Sequence, residues 1–98
     1  MTIPNYMGID LPTLDRAIVK WHNDRNLIDG STDQAQLAKL TEEVGELARA
    51  LRNEKPGANY QTADAIGDIL VVLINIAERN GLDLRICLHR AFNDIKER

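Results

Sequence analysis

The stretch from about Asn59 to Asn80 constrains this chain most, because it runs some twenty residues without an internal stop and is apolar over most of its circumference between Ile66 and Ala77. Ile69 to Ile74 is rich in β-branched residues and, taken alone, reads equally well as a buried strand. Length decides for a helix, since a strand of that size is unusual and Asn80-Gly81 supplies a typical helix C-terminus. One neighbour cannot cover such a helix, and a chain of 98 residues offers few others. Packing of part of this helix against a second copy is therefore expected, as a homodimer or homotetramer.

Three more helices are predicted around it. The first follows Asp10-Leu11-Pro12, where proline is tolerated in a first turn. It shows Leu14, Ile18 and Trp21 at helical spacing and ends near Leu27. The second starts at Ser31, with Gln34 as a capping-box partner, and carries the stripe Leu37, Leu40, Val44, Leu47 and Leu51 until Lys55-Pro56-Gly57 stops it. The fourth is capped by Asp83 and presents Leu84, Leu88, Ala91, Phe92 and Ile95 as its core face. The expected architecture is all-α, a four-helix bundle forming one domain over residues 1–98.

Charge and composition exclude several classes. A net charge of −3 with scattered Lys and Arg lacks the basic face of a nucleic-acid binder. No run reaches about 18 consecutive apolar residues, so no membrane partner is expected. Met1 to Asp10 lacks the basic and apolar regions of a secretory leader. The lone Cys87 makes no intramolecular disulfide, and no Cys/His cluster suits zinc. A reduced, cytoplasmic setting is the expectation.

The polar residues inside the helices carry the chemistry. At about 100° per residue, Lys39, Glu43, Glu46 and Ala50 form one stripe of the second helix. Asp64, Asp68, Val71 and Asn75 share one face of the third. Acids turned toward a low-dielectric interior repel one another and are costly to desolvate. A hard divalent cation offsets both costs, and an all-oxygen set suits Mg²⁺ or Mn²⁺. Glu42-Glu43-Val44-Gly45-Glu46-Leu47 and Asp64-Ala65-Ile66-Gly67-Asp68-Ile69 also echo each other. Glycine inside a helix costs about 1 kcal/mol against alanine, so Gly45 and Gly67 suggest close approach of the helices or of a ligand. The bland alternative for Glu42, Glu43 and Glu46 is a solvated face balanced by Lys39 and Arg49 or Arg52. Asp68 and Asn75 fit that alternative poorly, because they interrupt an apolar helix. A di-iron bundle would need Glu-x-x-His pairs, and neither His22 nor His89 stands three residues after a Glu.

Lys39-x-x-Glu42-Glu43-x-x-Glu46, followed by Gly67-Asp68 in an apolar helix, resembles the all-α NTP pyrophosphohydrolase superfamily. That group includes MazG-like proteins, phosphoribosyl-ATP pyrophosphohydrolase, dimeric dUTPases and dCTP pyrophosphatases. The resemblance spans nearly the whole chain and implies a MazG-like bundle that uses Mg²⁺ to hydrolyse a nucleoside triphosphate to monophosphate and pyrophosphate. It implies Glu43, Glu46 and Asp68 as metal ligands, with Glu42 a ligand or the group that orients water. The family's second-motif Glu falls at Ala65 here, and the nearest acid is Asp64, the candidate replacement. Lys39, Arg25, Lys96 and Arg98 are candidates for phosphate binding, and Trp21 for stacking on a base, with core packing its bland alternative. Asn75 is a candidate for reading a base or sugar edge, or for capping a buried polar network. The competing reading is a non-catalytic helical module on the same scaffold, binding a nucleotide or a protein.

Overall fold

The computed structural model describes residues 8–98. Met1 to Met7, most of the segment on which the absence of a leader was argued, lie outside the described residues. Four helices follow in order: α1 (Leu11–Asp24), α2 (Asp33–Arg52), α3 (Ala58–Arg79) and α4 (Leu84–Ile95). No strand occurs among the described residues, so the length argument for residues 59–80 holds against their β propensity.

Local chemistry sets the ends. Asp10 caps α1 by accepting from Thr13 N–H at 2.8 Å. The chain leaves α1 three residues before the expected Leu27, with Asn26 at φ 55° and Leu27 N–H turned back to the His22 carbonyl. Thr32, not Ser31, caps α2, its hydroxyl accepting from Ala35 N–H at 3.0 Å. Ser31 instead takes the Gln36 amide, so the expected Ser31–Gln34 box does not form. Asp83 caps α4 as expected, accepting from Ile86 N–H at 2.8 Å. Gly81 sits at φ 72°, where it lets Leu82 N–H return to the Ala77 carbonyl and close α3.

The core lies along α3, which packs closely on α2, less on α1 and least on α4. By length and composition alone, α3 is apolar enough to cross a bilayer, unlike the sequence expectation. Its Ile, Val and Leu residues outweigh its two aspartates. In this fold it is the central helix, burying Ala65, Val72, Ile74, Asn75 and Ala77. The buried face of α1 is Asp15, Val19 and His22, while Leu14 and Trp21 are exposed. On α2 the buried residues are Glu43 and Ala50, with Leu37, Val44 and Leu51 exposed. The expected apolar stripes of α1 and α2 are therefore only partly turned to the intrachain core, with Ile18, Leu40 and Leu47 half-buried at its edge. The core face expected for α4 is uncovered as well: α4 has no buried residue. The radius of gyration, 15.1 Å, exceeds the roughly 13 Å of a compact chain near this length.

A polar staple ties α1 and the α1–α2 connection to α3. Asn75, fully buried, donates its amide to the Leu27 carbonyl at 3.0 Å and lies 3.2 Å from His22 Nδ1. His22 Nε2 reaches the Val71 carbonyl at 3.0 Å. This arrangement puts the ring hydrogen on Nε2 and leaves Nδ1 to accept. Arg79 donates to the Ile28 carbonyl and, at 3.1 Å, to Asp33.

Candidate metal centre between α2 and α3

The close pairing of α2 and α3 leaves one open acidic cleft of about 630 Å³. Glu42, Glu43 and Glu46 line it from α2, and Asp64, Ala65 and Asp68 from α3. Ala50 and Ala65 are both buried; small side chains here let the two helices approach. Ala65, where the resemblance implies an acid, is therefore part of the helix contact. Asp64 is exposed and reaches the cleft from beside it.

Glu43 is 8% exposed and meets Lys39 Nζ at 3.2 Å. Lys39 also lies 3.9 Å from Glu42. These partners hold the Lys39 ammonium above the usual lysine range, first through the Glu43 hydrogen bond and then through the Glu42 and Glu43 charges. Glu46, exposed, is engaged by Arg49 one turn on. Asp68 is held above the ordinary carboxylate range, chiefly because the cleft walls strip water from it. Repulsion from Glu43 and Asp64 adds to that, and Lys39 opposes it.

The donor set fits a hard cation. It is all carboxylate oxygen, spread over two facing helices, and Asp68 on α3 has no paired cation among the described residues. With the side chains as they stand, no three acids, histidines or cysteines among the described residues converge on a metal-holding point. Lys39 and Arg49 occupy two of the carboxylates, and releasing Glu43 and Glu46 from them frees oxygen toward the cleft.

The structure thus brings together Glu42, Glu43, Glu46, Asp64 and Asp68, with Lys39 at their edge. It does not bring the others there. Trp21 is 44% exposed, neither in the core nor in the cleft lining, and Arg25 covers one face of its ring at 4.1 Å. Asn75 serves the buried staple and presents nothing to solvent, which decides between its two readings. Lys96 and Arg98 follow α4 and are not part of the cleft lining; Arg98 pairs with Asp94 at 2.7 Å. A side chain added at Gly67 would meet nothing within 4 Å, and one at Gly45 would meet only Arg49 at 3.9 Å. The two glycines therefore do not mark close approach of helices within this chain. Sequence reasoning passed over Asn53 and Gln61, which close one end of the cleft through a 2.8 Å hydrogen bond. It weighed Arg49 only as surface charge; spacing three residues from Glu46 was the available signal.

The profile of the MazG nucleotide pyrophosphohydrolase domain matches residues 31–98, which contain the whole cleft. The chain belongs to the MazG nucleotide pyrophosphohydrolase family. Helix α1 lies outside the matched region. The chain is also 42% identical over 74 residues to an "Uncharacterized 18.2 kDa protein in rep-hol intergenic region" of Haemophilus phage HP1 (strain HP1c1). That match covers 76% of this chain and 44% of the phage protein, so the chain spans less than half the length of that relative. No solved structure matches the chain.

Proposed function

We propose that this chain is a Mg²⁺-dependent nucleoside triphosphate pyrophosphohydrolase, acting on surplus or unwanted (d)NTPs in the cytoplasm; Mn²⁺ is an alternative ion. The observation that carries this reading is that Glu43, Glu46, Asp64 and Asp68 line one cleft between two helices. A triphosphate is polyanionic and is repelled by such a surface unless a cation stands between them. Bound there, the ion neutralises phosphate oxygens and lowers the pKa of a coordinated water.

The chain's own residues do the rest. Glu43, Glu46 and Asp68 would hold the ion, and Asp64 would support them from the edge of the cleft. Lys39 and Arg49, displaced from Glu43 and Glu46, turn to phosphate oxygens. Glu42, exposed on α2, orients the attacking water and takes its proton. The water oxygen bonds to the α-phosphorus as the bond between the α- and β-phosphates breaks, and pyrophosphate leaves with the electron pair. The chain works as a homo-oligomer, which covers the apolar faces that one copy leaves open.

A panel of NTPs and dNTPs with Mg²⁺, scored for pyrophosphate, tests the reading. Release of single phosphate, or undiminished turnover in chelator, would overturn it. Buried Ala65, standing where the resemblance implies an acid, favours the second reading, a non-catalytic nucleotide- or protein-binding module. The same panel separates the two, because the module would release no pyrophosphate.

A further inference from the structure

On the α1 side of α3 lies a second groove, of about 530 Å³, that shares Asp64 and Asp68 with the acidic cleft. Its walls beyond those acids are apolar, chiefly Leu14 and Ile18 of α1 with Leu70, Val71 and Ile74 of α3. One residue departs from that character. Asp15 lines the groove, is only 8% exposed, and its Oδ1 accepts no hydrogen bond. Arg16 Nη2 stands 3.7 Å from that oxygen but is drawn to Glu78 of α3 at 3.2 Å. A buried carboxylate oxygen left without a donor is costly and marks a missing partner.

The groove has the size of a small-molecule site, within the usual range of about 300–1,000 Å³. From Asp68 to Ile74 the rise along α3 is about 9 Å, enough to carry a ligand from the acids into the apolar part. A nucleotide fits that gradient: phosphates at the acid end, a flat base between aliphatic walls, and a polar edge needing one partner. Asp15 also lies on α1, outside the region the family profile matches, where selectivity can differ without disturbing the acidic centre.

We propose that this groove receives the substrate's nucleobase and that Asp15 Oδ1 accepts from an exocyclic amino group, selecting cytosine, adenine or guanine nucleotides over those of uracil and thymine. This rests on the nucleotide reading of the acidic cleft. Uracil and thymine place a carbonyl oxygen where cytosine places an amino group, and a carbonyl facing Asp15 Oδ1 sets acceptor against acceptor.

The test is equilibrium binding of dCMP, dAMP, dGMP, dTMP and dUMP to the full chain by calorimetry, with KM values for the matching triphosphates. The amino-bearing monophosphates should bind at least about tenfold more tightly than dUMP and dTMP. Asp15→Asn, whose amide can donate as well as accept, should bring the two groups within about twofold. Dimethylation of the cytosine amino group removes the donor without touching the protein. The modified dCMP should therefore bind as weakly as dUMP, which decides the matter even where the variant does not fold. Wild-type binding indifferent to the amino group would overturn the proposal. So would an Asp15→Asn variant that keeps the preference, or one that changes only the oligomeric state, as a basic residue from a second copy on Asp15 would produce. Absence of both nucleotide binding and pyrophosphate release would reject the nucleotide reading itself. Binding without amino preference rejects only the role of Asp15.

Discussion

The α2–α3 pair and helix α4 are both amphipathic, yet one is finished within the chain and the other is not. Between α2 and α3, Glu43, Ala50 and Ala65 are buried, and the cleft they frame is defined by this chain alone. Along α4, Leu88 is 61% exposed and Phe92 59%, left open by the described residues. The acidic cleft thus sits on the best-packed pair. The apolar surface is held in reserve on a helix that buries none of its residues. Positioning several carboxylates on one ion demands a rigid pair of helices, whereas an uncovered amphipathic helix is what a second copy requires.

The largest expected effect strikes the finished half. Glu46→Gln and Asp68→Asn each keep the side-chain shape and remove a charge that the ion needs. Turnover should fall by about a hundredfold or more in each, with circular dichroism unchanged. Activity within a few-fold of wild type in either variant would show that the acidic cleft is not the metal centre.

That half was also the more legible in sequence. Lys39, Glu43, Glu46 and Ala50 fall on a stripe fixed by helical periodicity, and α3 was constrained by length, so each acidic face followed from projection, while the meeting of the two faces was implied by the family resemblance. The apolar stripes of α1 and α4 were read correctly as helical but assigned to a core they meet only at its edge. Periodicity tells which residues share a face, not whether the cover is the same chain or another. Asn75 was legible only as an anomaly, because its partners His22 and Leu27 lie about fifty residues earlier. Capping misplaced the start of α2 by one residue, since Ser31 and Thr32 are both good caps and only packing decides between them.

The unfinished half is tested next. Sedimentation at micromolar concentration should show no major monomer. Phe92→Asp together with Leu88→Asp should release monomer, because each apolar side chain contributes about 1.5–3 kcal/mol when covered. A wild-type chain that sediments as a stable, folded monomer would mean that α4 needs no partner.

A third change probes the joint between the halves. Asn75→Ala leaves the Leu27 carbonyl and His22 Nδ1 without their donor in a buried setting. It should cost about 1–3 kcal/mol of stability, read from denaturant melts. A loss below about half a kilocalorie per mole would mean that the staple holds little of α1 in place.

Asp64 sits at the edge of the comparison, since it faces both the cleft and the groove. It lies four residues before Asp68, about 6 Å of rise, one residue farther than the Glu position occupied here by Ala65, and an aspartate reaches less far than that glutamate would. At that distance it should be partly dispensable. Asp64→Asn should raise the Mg²⁺ concentration for half activation about tenfold and leave measurable turnover. A variant as inactive as Asp68→Asn, or a metal-bound structure with an Asp64 oxygen in direct coordination, would put Asp64 among the ligands.

The smallest effect concerns what the finished half costs when empty. Asp68 in the folded chain is held above the ordinary carboxylate range, first by desolvation and then by Glu43 and Asp64. Between the ordinary value and the raised one, the folded chain keeps a proton that the unfolded chain has released. Stability therefore falls as pH rises through that window, and the penalty is complete above it. At pH 7 without metal, Asp68→Asn removes the penalty and should raise the melting temperature. Solvent screening at an exposed carboxylate keeps the rise to about a degree or two. Well below the ordinary carboxylate range the two proteins should melt together, since both then carry a neutral group. Saturating Mg²⁺ should reverse the order at pH 7, because only wild type gains the full binding energy. An Asp68→Asn variant less stable than wild type in chelator at pH 7 would mean that the carboxylate serves the fold, and not the ion.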